Sequence, residues 1–308
     1  LENNLTEKTH PDFALRVQGV SHWFGSNLVL QNINLDVAAG QIVAVVGPSG
    51  CGKSTLLKAI LGTQPPKKGT IHAGGKRIVS PRRDIGIVFQ DYALYDFLTA
   101  EENVAFGLKL DETSFWNRFF ALPSYLRKRK EQLSKAREFL TRVGLGEACG
   151  QYPHELSGGM RQRVAIAQAF ILKPSIVLLD EPFGALDETT REDLQSMLLH
   201  FYQQNLVAKQ EGRTPEYTIL MVTHELNEAI YVADRVVGLS QFHETGSEGA
   251  TIVYDKECPV FHPDDPKDLE RLVTQREELR RAVFDDSYVQ HHSEYVSFCH
   301  EIQDMAKN

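Results

Sequence analysis

The stretch Gln41–Gly62, QIVAVVGPSGCGKSTLLKAILG, constrains this chain more than any other. Five apolar residues, Ile42–Val46, end at a glycine. A loop, Gly47–Thr55, then leads straight into a run with helical spacing that Gly62 closes. The loop fits G-x-x-x-x-G-K-[ST], with Gly47, Gly52, Lys53 and Ser54 at the specified positions. Glycine lets backbone N–H groups turn inward around phosphates with no Cβ in the way. Pro48, Ser49, Gly50 and Cys51 complete the cradle. Lys53 supplies positive charge to the outer phosphates, the Ser54 hydroxyl suits Mg²⁺, and Thr55 adds a further phosphate contact. A short, wholly apolar strand before such a loop reads as buried on both faces, which calls for a parallel sheet between helical layers.

The rest of the chain repeats that alternation. "FALRVQGV" and "LVLQNINLDV" alternate apolar and polar residues as half-exposed strands do, so the segment from Phe13 to about Gly74 is strand-rich. Helical signals dominate from Thr99 to Phe170. Strands then return in "PSIVLLDEP", "YTILMVTHE" and "RVVGLS", the last strand expected, with helices at about Glu188–Gln204 and from Leu226. The expected fold class is α/β. It has a parallel-sheet core of the phosphate-loop NTPase type, an N-terminal antiparallel β subdomain and an inserted α-helical subdomain at about 95–172. A polar N-terminal segment (1–12), a main domain (13–240) and a C-terminal extension (241–308) divide the chain.

With 308 residues the chain can bury a large core, and its net charge of −8 argues against nucleic acid as a partner. No apolar run approaches the roughly 18–20 residues that cross a bilayer. The first dozen residues lack the apolar centre of a secretion signal. Cys51, Cys149, Cys258 and Cys299 form no C-x-x-C pair and read as reduced thiols. Cys51 reads as a small loop residue and not a nucleophile. His291–His292, with Cys299 and His300, fits no regular zinc spacing.

Two further segments carry chemistry. In "SIVLLDEP" an apolar strand delivers Asp180 to its carboxyl end, where parallel-sheet sites lie and where a carboxylate can hold a magnesium shell. Glu181 follows at once and can orient or deprotonate an attacking water. In "YPHELSGGMRQRVAIAQAF", Tyr152–Phe170, Ser157 precedes Gly158 and Gly159 at the mouth of a helix, an arrangement that builds an anion site. A second phosphate cradle without its own lysine needs a reason.

These motifs together resemble the nucleotide-binding subunits of ATP-binding-cassette transporters, over about Phe13 to Ser240. The matching pieces, in order, are the glycine loop, Gln90 in "IVFQDYAL", "LSGGM" at Leu156–Met160, "LLDEP", "GALD" at Gly184–Asp187 and "VTHE" with His224. The resemblance implies why there are two cradles. Two subunits pair head to tail, and Ser157, Gly158 and Gly159 of one would close over the ATP held by the other's glycine loop. It further implies that Gln90 reaches the metal or the water, Asp187 organises the dimer interface, and His224 contacts the γ-phosphate. An aromatic should stack on adenine, and Phe24 fits better than its neighbour Trp23. The expected cofactors are ATP and Mg²⁺. The expected partners are a second copy of the chain, integral membrane permease subunits and a substrate-binding protein. The expected location is peripheral, on the cytoplasmic face of the inner membrane.

The wording of "PRRDIGIVFQDYALYDFLTAEENVAFGL" is similar to the ATPases of nitrate, sulfonate and taurine importers. The competing reading is a soluble cassette ATPase acting on ribosomes or DNA. Such proteins commonly carry two cassettes or a coiled-coil insertion, and this chain shows neither. Asp111–Ser134 is long for the importer group. Its Phe115/Phe119 and Trp116/Phe120 pairs share helical spacing, and a basic run, Arg127–Lys130, follows. It reads either as a surface for the membrane subunits' cytoplasmic loops or nearby lipid headgroups, or as helices packing on their own block with a solvated basic end.

Overall fold

The apolar strand before the glycine loop becomes β3 (Ile42–Val46), and all five side chains are shut away from solvent. The structure, a computed structural model, describes residues 13–112, 122–184, 186–239, 249–259, 261 and 269–284. The aromatic pairs of 115–120 and the histidine–cysteine cluster of 291–300 lie outside the described residues.

Strands β1 (Phe13–Phe24), β2 (Asn27–Ala38), β4 (Lys68–Ala73) and β5 (Lys76–Arg77) form an antiparallel sheet in the order β2-β1-β4-β5. The second sheet adds β6 (Ile85–Val88), β7 (Ile176–Asp180), β8 (Thr218–Thr223), β9 (Arg235–Leu239) and β10 (Ile252–Glu257) to β3. Its order is β10-β9-β3-β8-β7-β6. Neighbours from β9 to β6 run parallel, and β10 closes the edge antiparallel to β9.

The period-two alternation of β3 decides the layers. Ile42, Ala44 and Val46 face a core built from helices, and Val43 and Val45 face a core shared with the antiparallel sheet. Helix α1 (Lys53–Leu61) lies on the second side and ends at Gly62, whose φ of 83° is the left-handed C-cap that glycine adopts without strain. The other side holds α4 (Gly158–Phe170), α5 (Glu188–Gln210), α6 (Leu226–Val232) and α7 (Leu269–Phe284).

Between β6 and β7 the chain makes a helical block of α2 (Ala100–Glu112), α3 (Leu122–Arg142) and α4. Buried Asn103 fixes its entrance. Its Oδ1 accepts from the Tyr95 N–H at 2.8 Å, and its Nδ2 donates to the carbonyls of Tyr95, Leu98 and Thr99 at 3.0–3.1 Å. Thr99 and Glu102 close a capping box around the start of α2. Among the described residues no helix is long and apolar enough to cross a membrane.

Two elements differ from the sequence expectation. β9 is not the last strand, because β10 extends the same sheet after the polar loop. Helix α5 runs six residues past Gln204, to Gln210. Asn205 does not end it because its side chain is engaged elsewhere. Nδ2 donates to Tyr217 O at 2.6 Å, and Oδ1 accepts from Glu216 N–H at 3.0 Å, tying the helix to the entry of β8.

Candidate functional site

Parallel strands bring their carboxyl ends to one edge, and that edge collects the glycine loop, Gln90, Asp180, Glu181 and His224. The glycine loop follows β3, His224 follows β8, Asp180 and Glu181 close β7, and Gln90 lies two residues beyond β6 on an exposed turn. β8 lies between β3 and β7, so His224 stands between the loop and the carboxylates.

The loop needs its glycines for space as well as for φ. Gly52 has a φ of 97°, and a Cβ there would come within 2.8 Å of Leu30 and 2.9 Å of Val29. At Gly47 a Cβ would meet the Cys51 sulfur at 2.6 Å. Cys51 is buried, and burial pushes its thiol up from the ordinary value against the pull of Lys53. It packs the loop from beneath as a neutral thiol. Pro48 is also buried, whereas Ser49, Gly50 and Ser54 are exposed and Thr55 is half-buried. Lys53 is buried, and its Nζ donates to Gly47 O at 2.7 Å and to Pro48 O at 3.0 Å.

Ser54 Oγ donates to Asp180 Oδ1 at 3.3 Å. Burial raises the Asp180 carboxyl from its ordinary value, Ser54 opposes that shift, and the charge of Glu181 adds to it. Hydroxyl and carboxylate oxygens side by side are the donor chemistry of a hard divalent cation. Glu181 Oε1 lies 3.2 Å from His224 Nδ1. Its backbone has a φ of 48°, unusual for a residue with a side chain, and its N–H donates to Val222 O at 2.9 Å. Left-handed backbone away from glycine costs about 1–3 kcal/mol and clusters where function fixes a side chain.

The LSGGM segment sits elsewhere, at the mouth of α4. Ser157 is its N-cap, with Oγ accepting from the Met160 N–H at 3.2 Å. Asp187 caps α5 in the same way, accepting from the Thr190 N–H at 3.1 Å and the Thr190 hydroxyl at 2.8 Å. Those bonds hold the Asp187 carboxyl below its ordinary value. The two helix mouths touch, since a Cβ on Gly159 would overlap the Thr190 methyl. Two positive helix ends thus converge on one surface. Gly158 is half-buried beside it.

Gly159→Ala is therefore expected to destabilise the chain by about 1–3 kcal/mol through overpacking. Adding Thr190→Ser, which removes that methyl, should return part of the loss. Thermal melting of the single and double variants checks both.

Phe24 ends β1 and is 49% exposed, with its ring 4.9 Å from that of His22 in an edge-on contact. Trp23 is only half-buried, with the Lys68 ammonium 5.5 Å from its ring. Phe24 pairs with Asn27 across the hairpin, and Val29 and Leu30 just beyond press on Gly52. The hairpin that carries Phe24 thus packs on the glycine loop through its second strand.

A network behind His224 was not read from the motifs. Arg191 Nη2 donates to Leu186 O at 3.2 Å, and its Nε pairs with Glu228 Oε1 at 3.2 Å. This links the loop before α5 to the helix that follows His224. Its one sequence signal is a cation in the first turn of a helix, against the macrodipole. Burial drives the Glu228 carboxyl up to about 7, with Arg191 opposing. A carboxyl raised in the folded state stabilises it fully below the unfolded value near 4.5, and that stability is lost as pH rises through about 7. Glu228→Gln should accordingly flatten the fall in melting temperature between those limits, measured in matched buffers.

The comparisons agree with this geometry. The family described as ABC transporter matches residues 30–184. The nitrate import ATP-binding protein NrtD of Synechocystis sp. is 40% identical over 237 residues, covering 76% of this chain and 80% of that protein. The aliphatic sulfonates import ATP-binding protein SsuB of Bacillus cereus is 41% identical over 231 residues, 74% of this chain and 81% of that one. The bicarbonate transport ATP-binding protein CmpD of Synechocystis sp. is 36% identical, over 81% and 78%. Among solved structures, the ATP-binding cassette MJ0796, a dimer in a post-hydrolysis state bound to ADP and Pi, has a TM-score of 0.63. It shares 27% identity and covers 80% of this chain and 100% of its own. With a phosphate loop, two carboxylates and a histidine on one sheet edge and relatives of this kind, the chain belongs to the ABC transporter family as one of its ATP-hydrolysing subunits.

Proposed function

We propose that this chain powers the import of a small anionic solute, of the nitrate or sulfonate kind, through separate membrane permease subunits. It would work on the cytoplasmic face of the membrane, as a head-to-tail dimer of identical chains that sandwiches two ATP molecules, with a substrate-binding protein outside. The observation that carries the reading is the Glu181–His224 pair beside Ser54 and Asp180 on one sheet edge.

In this reading the loop N–H groups and Lys53 hold the phosphates, and Phe24 stacks on adenine. Ser54, Asp180 and Gln90 would hold Mg²⁺, which when bound offsets charge on the phosphate oxygens. Glu181 accepts a proton from the attacking water, and His224 keeps that carboxylate aimed. Ser157, Gly158 and Gly159 of the partner close the far side, where the converging helix mouths favour negative charge. Asp187 sets the loop that meets the partner. The lysine-free cradle then needs no cation of its own, since Lys53 of the opposite chain supplies one.

The test is ATP-driven uptake in vesicles holding the permease, with nitrate and hexanesulfonate as probes. Uptake of one of them that stops in Glu181→Gln supports the reading. Failure to associate with the permease, with retention on ribosomes or nucleic acid instead, would favour a soluble cassette ATPase.

A further inference from the structure

The described part of the chain holds a cleft of about 530 Å³ that no step above uses. It lies where the last turn of α3 meets α4 and the middle of α5. Phe139, Val143 and Phe201, all nearly closed to solvent, make an apolar floor with Met197. The more exposed Arg142, Arg163 and His200 stand at its mouth with one carboxylate, Asp193. The volume falls within the range of about 300–1,000 Å³ typical of small-molecule sites.

The charges at the mouth are only partly spent on each other, in one long ion pair between Arg163 and Asp193. Arg163 Nη1 stands 3.8 Å from Asp193 Oδ2, past hydrogen-bond reach. Arg142 lays its guanidinium over the Phe139 ring, 5.3 Å from the centroid, and among the described residues it has no carboxylate partner. His200 Nδ1 lies 2.7 Å from Ser196 O and donates to it. Two guanidinium groups against one carboxylate leave the mouth positive.

We propose that this cleft binds a small amphipathic monoanion, a carboxylate or sulfonate on an alkyl or aryl body, and that its occupancy tunes ATP hydrolysis. An inorganic anion would leave the apolar floor uncovered. A neutral apolar molecule would leave the Arg142 fork without an anion and Arg163 with only its long ion pair, and such planar forks match carboxylate and sulfonate oxygens. The site spans the helical block through α3 and the core through α5. Arg163 also stands six residues beyond Ser157 on α4, which at 1.5 Å per residue is roughly 9 Å along the helix. An occupant that wedges α3 against α5 therefore shifts the mouth of α4, and by linkage nucleotide state alters its affinity in return.

The test titrates the full chain with 2-naphthalenesulfonate and 2-naphthoate by calorimetry, with MgADP present to occupy the glycine loop. Saturable binding of one probe per chain, near about 1 mM or tighter for a ligand of this size, is expected. Arg142→Gln should weaken it roughly tenfold, in line with loss of a charge-assisted contact. Met197→Trp, filling the floor, should abolish it with the melting temperature unchanged. Should Met197→Trp fail to fold, Arg142→Gln on the exposed helix end still decides the matter. Saturating probe should change the ATPase rate of the wild-type chain about two- to tenfold. The Lys53→Met variant should bind the probe normally, so a failure here is separable from a failure of the transport reading. The two head groups show whether carboxylate or sulfonate is preferred. No saturation at several millimolar, strictly competitive binding with nucleotide, equal binding of plain sulfate, or indifference to Arg142→Gln would overturn the proposal.

Discussion

Glu181→Gln should slow ATP hydrolysis by about 10²–10⁴-fold, the contribution of a positioned general base. ATP affinity should hold, and the chain should become a stable dimer with ATP and Mg²⁺. The side chain sits 3.2 Å from His224 Nδ1, and an amide of the same shape keeps that hydrogen bond while losing the ability to accept a proton from water. The left-handed backbone is equally available to Gln, so folding is not expected to change. A comparison variant isolates the strain. Glu181→Gly relieves a φ of 48° and should raise stability by about 1 kcal/mol while abolishing activity. Light scattering with and without ATP–Mg²⁺ reads the dimer. A monomer that becomes a dimer supports two composite sites. A monomer that persists with ATP demonstrably bound would mean that a different chain supplies the second cradle.

The parts legible in the sequence are those whose meaning is local. The glycine loop, Asp180, Glu181 and His224 each follow an apolar strand at fixed spacing, and a parallel sheet must gather strand ends on one edge. The half-exposed strands of the N-terminal segment showed themselves through period-two alternation in "FALRVQGV" and "LVLQNINLDV". β10 did not, although "TIVYDKE" has some alternation, because its pairing with β9 is a choice of partner made across a polar loop. The fit of Gly159 against Thr190 was hidden for a related reason. It depends on two helix mouths, about thirty residues apart in sequence, meeting at one methyl group. The family resemblance implies that Gly159 meets the nucleotide of another chain. The structure adds a reason inside its own chain, since no larger residue fits. Arg191 and Glu228 likewise form a bond between elements, not within a motif.

Lys53→Met should weaken ATP binding by about 2–5 kcal/mol, roughly 30- to several-thousand-fold in Kd, as expected when one partner of a buried charged contact is removed. The ammonium is buried and has three donors. Two are directed at Gly47 O and Pro48 O, at 2.7 and 3.0 Å, which fixes the charge at the centre of the loop. In the proposed reading the third would serve a phosphate oxygen. Methionine keeps most of the apolar stem, one heavy atom shorter, but takes the ammonium donor from Gly47 O, while Pro48 O keeps the Cys51 N–H at 3.3 Å, so stability should also fall by about 1–3 kcal/mol. Lys53→Arg is expected to fare little better. Its planar fork cannot place one compact charge between two converging carbonyls. Calorimetric titration with ATP, alongside thermal melting, separates the two effects. Near-normal affinity in Lys53→Met would show that the loop N–H groups alone hold the nucleotide and that Lys53 serves the fold of the loop. A large loss of affinity, greater than the loss of stability accounts for, would place its charge on the phosphates.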